Sequence, residues 1–255
     1  YVRGEGSGAI LLKPLSKALA DGDNIYAVIK GTSVNHGGKA NSLTAPNPNA
    51  QADLIVTAWK KAGVDPGTVG YIEAHGTGTS LGDPIEINGL KKAFAKLYRE
   101  WGREKPEKPH CGIGSVKTNI GHLETAAGIA GVIKVILAMK NKIIPKSLHL
   151  KELNPYIKLE GSPFFIADKK MEWTRLPDRN GIEAPRRAGI SSFGFGGVNS
   201  HIVLEEYEGK NDIKRDVNAV PAVVVLSAAD MDRLKEYAAR LKKYIGKIIK
   251  LKDGH

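Results

Sequence analysis

The chain has 255 residues, and its 38 lysines and arginines outnumber its 27 aspartates and glutamates, which gives a formal net charge of +11. Apolar residues make up 42% of the sequence, a composition that excludes wholesale disorder. The single cysteine, Cys111, excludes an intramolecular disulfide and a cysteine-based zinc cluster. No apolar run reaches the ~20 residues of a membrane span, and there is no signal-peptide core, so we expect a cytoplasmic chain or a piece of one.

The excess of positive charge is compatible with a nucleic acid, an acidic membrane surface or an acidic protein as partner. The basic residues are scattered, and the densest tract, at residues 240–252, is typical of a solvated helix face. Aromatic residues make up only 6% of the chain, and no nucleic-acid recognition motif is present. Binding to nucleic acid is therefore disfavoured.

The first elements predicted along the chain are two short strands, at residues 8–12 and 26–34, with a turn at 21–24 between them. A loop rich in Asn, Pro and Gly follows at 36–50. Apolar residues at helical spacing then predict a helix that ends at 65–67.

The middle of the chain alternates strands and helices. Strand 69–74 runs into a Gly-Thr loop, and Asp83 and Pro84 are predicted as the cap and first turn of the next helix. Strand 111–116 leads into a second loop, at 117–122. This alternation predicts an α/β fold.

The helix predicted from residue 123 to about 140 is apolar on nearly every side, so we expect it to be buried between two layers. Two further strands lie within 185–207, around a loop rich in Phe and Gly. A polar linker at 208–220 marks a domain boundary, and a strand at 223–226 with the helix after it begins a second module.

Two histidines, His75 and His122, each follow a predicted strand in a glycine-containing loop. Loops at the carboxyl ends of strands are where α/β proteins place ligands. Lys117 shares the loop of His122, and a nearby cation keeps an imidazole neutral. A neutral imidazole can donate or accept a hydrogen bond, which suits the polarisation of a thioester or a carboxylate. Structural histidines and a surface lysine are the alternatives.

The loop around Phe193, Gly194 and Phe195 is the third candidate element. Its glycines permit kinks that aim a backbone N–H at a developing oxyanion, and they also permit a moving aromatic gate. A packed bulge is the alternative. Cys111 precedes an apolar strand and has no helix N-terminus beside it to lower its pKa, so we interpret it as structural.

Three segments together carry a resemblance: Glu-Ala-His-Gly-Thr-Gly-Thr at 73–79, Gly-Ser-Val-Lys-Thr-Asn-Ile-Gly-His-Leu-Glu at 114–124, and the glycine loop within 187–201. They resemble the motifs of polyketide-synthase ketosynthases, which are β-ketoacyl-acyl carrier protein synthases of the thiolase superfamily. The resemblance covers residues 1 to about 207. Residues 79–90 are most similar to the modular type served by a separate acyltransferase.

The resemblance implies a layered thiolase-like α/β fold, a homodimer of the complete domain, and decarboxylative Claisen condensation of an acyl thioester with malonyl-acyl carrier protein. It implies no metal and no bound cofactor, because the substrates travel on the phosphopantetheine of the carrier protein. The N–H of Phe195 would complete the oxyanion hole, and its ring would gate the pocket. The implied site residues are the catalytic His75, His122, Lys117 and Phe195 and the substrate- or phosphopantetheine-binding Thr77, Thr79, Phe193 and Gly194.

The cysteine of the family's Cys-His-His triad has no counterpart in this chain. The motif that contains this nucleophile in the family is not present, and Cys111 stands in another sequence context. The resemblance then divides the chain into the C-terminal part of a ketosynthase (1–207), a linker (208–220) and the start of an α/β flanking subdomain (221–255). We expect a Cys-bearing N-terminal part and an acyl carrier protein as partners, and no turnover by this chain alone. A chain split within the domain, a truncated chain and a piece of a larger protein stay open, as does a non-catalytic, carrier-docking role.

Overall fold

The computed structural model describes residues 1–38, 46–209 and 224–252. The chain divides into two compact units, Tyr1–Asn211 and Asp212–His255. Most of the predicted linker lies outside the described residues, so the domain boundaries stay a prediction.

The first unit is built on a six-stranded mixed sheet. Its strands, in spatial order, are β1 (Ala27–His36), β8 (Val198–Glu206), β7 (Arg187–Phe193), β2 (Tyr71–Glu73), β3 (Cys111–Gly114) and β5 (Phe164–Ile166). The last four run parallel to one another, whereas β8 pairs antiparallel with both β7 and β1. A separate antiparallel pair joins β4 (Ile143–Ile144) and β6 (Met171–Glu172).

Helices cover both faces of this sheet. The helices of this unit are α1 (Leu15–Ala20), α2 (Pro48–Ala62), α3 (Gly82–Glu100), the single turn α4 (Lys117–Ile120) and α5 (Ala127–Asn141), and it is α2, α3 and α5 that pack on the sheet. One buried cluster joins α2 and α3 to the sheet through Trp59, Phe94 and Ile72. The other joins α5 through Val135, and Tyr71 contributes to it because neighbouring strand residues point to opposite faces. The predicted layered α/β fold is confirmed.

Helix α2 shows how local sequence sets the ends of an element. The Asn47 side chain accepts hydrogen bonds from the N–H groups of Asn49 and Ala50, at 3.0 and 3.3 Å, and Pro48 occupies the first turn. Gly63 ends the helix with a φ of +60°, a conformation that favours glycine.

The strand predicted at residues 8–12 is wrong. This segment has no regular structure, and Leu11 is 98% exposed. A strand needs a hydrogen-bonding neighbour, and none of the described residues supplies one. The helix Leu15–Ala20 after it was not predicted. In the second unit, residues 224–226 form no strand either, and Val223 lies outside the described residues.

Two local predictions also need correction. Helix α3 begins at Gly82, and the carboxylate of Asp83 accepts from the N–H of Gly78 instead of capping its own helix. The predicted loop after β3 contains the helical turn Lys117–Ile120, which the N–H of Gly121 closes by donating to the carbonyl of Lys117 at 3.0 Å, and the long helix begins at Ala127.

Helix α5 is only partly buried. Its sheet side is packed, but Ile133 and Leu137 remain 37% and 52% exposed. They line an apolar groove of about 670 Å³ that Ile120 and Leu123 extend. We expected layers on both sides of this helix. Among the described residues, the sheet covers one side and no second layer covers the side of Ile133 and Leu137.

The second unit contains α6 (Met231–Lys252). The carboxylate of Asp230 accepts from the N–H of Arg233 at 2.8 Å, so Asp230 caps this helix. Among the residues that the structure describes, no helix is long and apolar enough to cross a membrane.

Candidate active site

The loops of His75 and His122 emerge at one edge of the sheet, because the strands that precede them, β2 and β3, are adjacent and parallel. The two imidazole rings have centroids 5.3 Å apart and planes at 84°. Phe193, at the end of β7 on the other side of β2, places its ring 5.7 Å from that of His75. Three neighbouring strands thus bring three of the predicted site residues together.

A buried carboxylate fixes the backbone at His75. The oxygens of Glu86 accept from the N–H groups of His75 and Gly76 at 2.7 and 2.9 Å. Burial raises the pKa of Glu86 to about 7, although both N–H groups favour the charged form. The sequence patterns did not predict a role for Glu86. The feature that could have indicated one is its position, since it is an acidic residue on the apolar, buried face of the helix that begins after the histidine loop.

The ring of His75 is held neutral. Burial, followed by the Lys117 and His122 side chains, lowers its pKa to about 3. Its Nδ1 atom is inaccessible and has no hydrogen-bond partner in the described part of the chain. Protonation would place a second N–H donor at a ring with an unpaired buried nitrogen, so the neutral form is favoured.

His122 is held by its own loop and by the start of the chain. Its Nδ1 accepts from the N–H of Glu124 at 3.0 Å, which assigns the ring proton to Nε2. Its backbone exchanges hydrogen bonds with Val2 and Gly4, at 2.8 and 2.9 Å. Burial and then Lys117 lower the pKa of this imidazole as well.

Lys117 begins the helical turn between β3 and His122. Its side chain forms no hydrogen bond or ion pair with any described residue, and burial lowers its pKa, against the effect of Glu86 and Glu73. The ammonium depresses the pKa of both histidines, in the predicted direction, but burial is the larger cause at each ring.

The predicted phosphopantetheine residues Thr77 and Thr79 share the loop of His75. Their hydroxyl oxygens lie 3.3 Å apart, and that of Thr79 also accepts from the N–H of Gly82 at 3.0 Å. Thr79 is therefore used to shape the loop, whereas Thr77 retains hydrogen-bonding capacity for a ligand.

The glycine loop forms the tip of the β7–β8 hairpin. Gly194 donates to the carbonyl of Val198 at 2.7 Å and accepts from Gly197 at 3.1 Å, so both of its backbone polar groups are used in the turn. The ring of Phe195 is 82% exposed and contacts neither histidine ring. The tip thus leaves Phe195 outside the ring cluster that Phe193 joins.

Two family models match the chain. Residues 26–151 match the family described as "Beta-ketoacyl synthase, C-terminal domain", and residues 154–251 match "Ketoacyl-synthetase C-terminal extension". The chain belongs to the β-ketoacyl synthase family. It is the C-terminal portion of a polyketide-synthase ketosynthase, so the predicted family is confirmed.

Individual relatives agree with this membership. Polyketide synthases PksN and PksL of Bacillus subtilis are 58% and 56% identical over 248 and 245 residues, which are 95% and 94% of this ketosynthase portion but 4% and 5% of the relatives. The solved oxazolomycin ketosynthase domain of Streptomyces albus is 42% identical, with a TM-score of 0.73, and the match covers 91% of this chain and 39% of that one. The solved ketosynthase from module 6 of the bacillaene synthase of Bacillus subtilis is 39% identical, with a TM-score of 0.73. This match covers 92% of the present chain and 38% of the solved one.

Proposed function

We propose that this chain supplies the histidine half of a decarboxylative Claisen condensation in a modular polyketide synthase. The acyl chain would be held as a thioester on the cysteine of the ketosynthase's N-terminal part, and malonyl-acyl carrier protein would supply the nucleophile. The observation that carries the proposal is the pair of His75 and His122, whose rings lie 5.3 Å apart on the loops of adjacent parallel strands.

The chemistry of the pair fits this reaction. Loss of CO₂ from a malonyl thioester leaves an enolate whose negative oxygen needs hydrogen-bond donors. His122 has its N–H on Nε2, and the lowered pKa values leave both rings neutral near pH 7, so that each has one N–H to donate to the thioester oxygen. Lys117 adds a positive charge that favours the anionic transition state.

The remaining predicted residues have supporting roles. Thr77 would bind the phosphopantetheine arm directly, and Thr79 would keep that loop in shape. Phe193 would wall the pocket beside His75, and the Gly194 turn would present the Phe195 N–H as an oxyanion donor. The exposed Phe195 ring is free to gate the entrance.

Two surfaces support the proposed partners. The apolar groove on α5 and the exposed leucines of the 8–12 segment would be covered by the Cys-bearing N-terminal part. The net charge of +11 would attract an acidic acyl carrier protein, with a rate that falls at high salt. Similarity to bacillaene-type synthases supports a module served by a separate acyltransferase, cytoplasmic antibiotic biosynthesis and a homodimeric complete domain.

The test uses the complete ketosynthase domain that contains this chain. We expect His75→Ala to lower decarboxylation of malonyl-acyl carrier protein by at least ~10²-fold, the usual size of general acid–base and positioning effects, while the cysteine still accepts an acyl group. Lys170→Ala is the matched control, because Lys170 is exposed and lies outside the histidine loops and the cavity beside them. Unchanged decarboxylation by His75→Ala would favour the structural, carrier-docking role.

A second test uses the chain by itself. Positioning and oxyanion stabilisation do not replace an absent nucleophile, so we expect neither acylated chain nor β-ketoacyl product from residues 1–255. Mass spectrometry after incubation with an acyl thioester checks this. An acyl adduct on the buried Cys111 would contradict it.

A further inference from the structure

A buried charge pair lies beneath both histidine loops. Glu73, at the end of β2, is 2% exposed, and its Oε1 atom accepts from the backbone N–H of Val116. Its Oε2 atom accepts from the ammonium of Lys134 on α5 at 2.7 Å and from the hydroxyl of Tyr71 at 2.9 Å. Lys134 also donates to the Tyr71 hydroxyl at 2.7 Å, so the three side chains form a closed network.

This network joins the two loops of the candidate site. Glu73 is the last residue of β2 and precedes His75 by two residues. Val116 follows β3 and immediately precedes Lys117. A single carboxylate therefore fixes the end of one strand against the start of the connection that carries Lys117 and His122. It adds a side-chain contact to the backbone pairing of β2 with β3.

The two charges depend on each other. Burial raises the pKa of Glu73, and Lys134 opposes that rise. The side chain of Lys134 is only 14% exposed. Removing one partner of a buried ion pair leaves an uncompensated charge, whereas replacing both partners is far better tolerated.

We propose that the Glu73–Lys134 pair is a positioning device that holds the Lys117–His122 connection at the distance from His75 that decarboxylation requires. This inference rests on the proposed function, because it assigns to the pair a role in the same reaction. Neither residue touches the substrate, and the pair acts through the backbone at Val116.

The test compares Glu73→Gln, Lys134→Met and the double variant in the complete ketosynthase domain. Two rates are measured for each: acylation of the cysteine by an acyl thioester, and decarboxylation of malonyl-acyl carrier protein. Because displacements of about 1 Å cost roughly 10²-fold, we expect each single variant to lower the kcat of decarboxylation by about 10–100-fold. We expect KM and the acylation rate to stay within about 2-fold, since the displaced loop and not the entrance limits the reaction.

The double variant gives the readout that a merely structural role would not produce. The amide that replaces the Glu73 carboxylate can accept from the Val116 N–H through its carbonyl and donate to the Tyr71 hydroxyl. The neutral pair should therefore restore decarboxylation to within about 5-fold of wild type. In Lys134→Met alone, the deficit should grow as the pH rises, because the unpaired Glu73 carboxyl ionises. That pH-dependent deficit should be absent from the double variant.

Arg103→Met is the matched control. Arg103 forms a partly buried ion pair with Asp65, which precedes the opposite end of β2. We expect this variant to lower the melting temperature and to leave the decarboxylation rate per folded molecule unchanged.

Three outcomes would overturn the inference: single variants with wild-type decarboxylation, equal losses of acylation and decarboxylation, or a double variant no better than the singles. If His75→Ala abolishes decarboxylation while Glu73→Gln does not, the inference fails and the proposed function stands. If the wild-type domain does not decarboxylate, both fail. Should Lys134→Met not fold, Glu73→Gln and the double variant decide the matter.

Discussion

The ring of His75 meets the ring of His122 nearly at a right angle, with 5.3 Å between their centroids, yet no hydrogen bond joins the two imidazoles among the described contacts. The backbone at His75 is held by the Glu86 carboxylate, whereas the ring of His122 accepts from the N–H of Glu124. Because neither ring uses the other as a hydrogen-bond partner, both keep an N–H for a substrate oxygen. Variants of the complete ketosynthase domain can test the parts of this arrangement separately.

Lys117→Gln should move the acid limb of the pH–rate profile for decarboxylation to higher pH. The active imidazoles are neutral, so the rate is lost as the pH falls through their pKa values, which lie below 6.5. Burial is the larger cause and persists in the variant, so we expect an upward shift of roughly 0.5–1 pH unit on removal of one cation. Lys170→Gln, at an exposed position, is the control. A limb that stays in place would show that Lys117 does not act on the rings.

Phe195→Pro should lower condensation by about 10²–10³-fold, because it deletes the backbone N–H proposed for the oxyanion hole. Phe195→Ala keeps that N–H and should retain condensation within about 10-fold. The ring is 82% exposed, so neither variant should change the melting temperature appreciably. Equal rates for the proline and alanine variants would remove this N–H from the mechanism.

Glu86→Gln should change how stability depends on pH. The pKa of this carboxyl is raised to about 7 in the folded protein from an ordinary 4.5, so its protonated form contributes stability that is present below pH 4.5 and lost as the pH rises through 7. Glutamine has no such loss. The melting temperature of the variant relative to wild type should therefore rise between pH 5 and pH 8.

The free energy behind this change is of order 3 kcal/mol, because one pKa unit corresponds to about 1.4 kcal/mol. Glu107→Gln, in an exposed loop, should show a constant difference over the same range. A difference that is also constant for Glu86→Gln would mean that Glu86 is ionised throughout.

Ile133→Glu and Leu137→Glu should destabilise the complete domain strongly. Both side chains line the apolar groove on α5 that the N-terminal part is proposed to cover, and burying an unpaired carboxylate costs several kcal/mol. Ile182→Glu is the control, since Ile182 is 64% exposed outside the groove. Thermal unfolding measures all three. Equal melting temperatures for groove and control variants would show that the groove stays open to solvent.

Sequence patterns predicted the parts of the fold that depend on neighbours in the chain. The apolar runs that became β2 and β3, and the helical spacing that became α2, follow from periodicity and from end signals such as Asn47 and Gly63. The segment at 8–12 failed for the opposite reason. Its composition favours a strand, but a strand also requires a hydrogen-bonding neighbour.

For the site, the sequence by itself determined the family and the residue types, because the histidine loops and the glycine loop are contiguous motifs. Only the tertiary structure decided that β2 lies between β3 and β7, which brings His75 against both His122 and Phe193. It also decided that Glu86 and Glu73 are buried beneath the loops and that Phe195 is in solvent. These relationships join residues far apart in the chain, and burial and electrostatics depend on every neighbour in space, which local periodicity does not record.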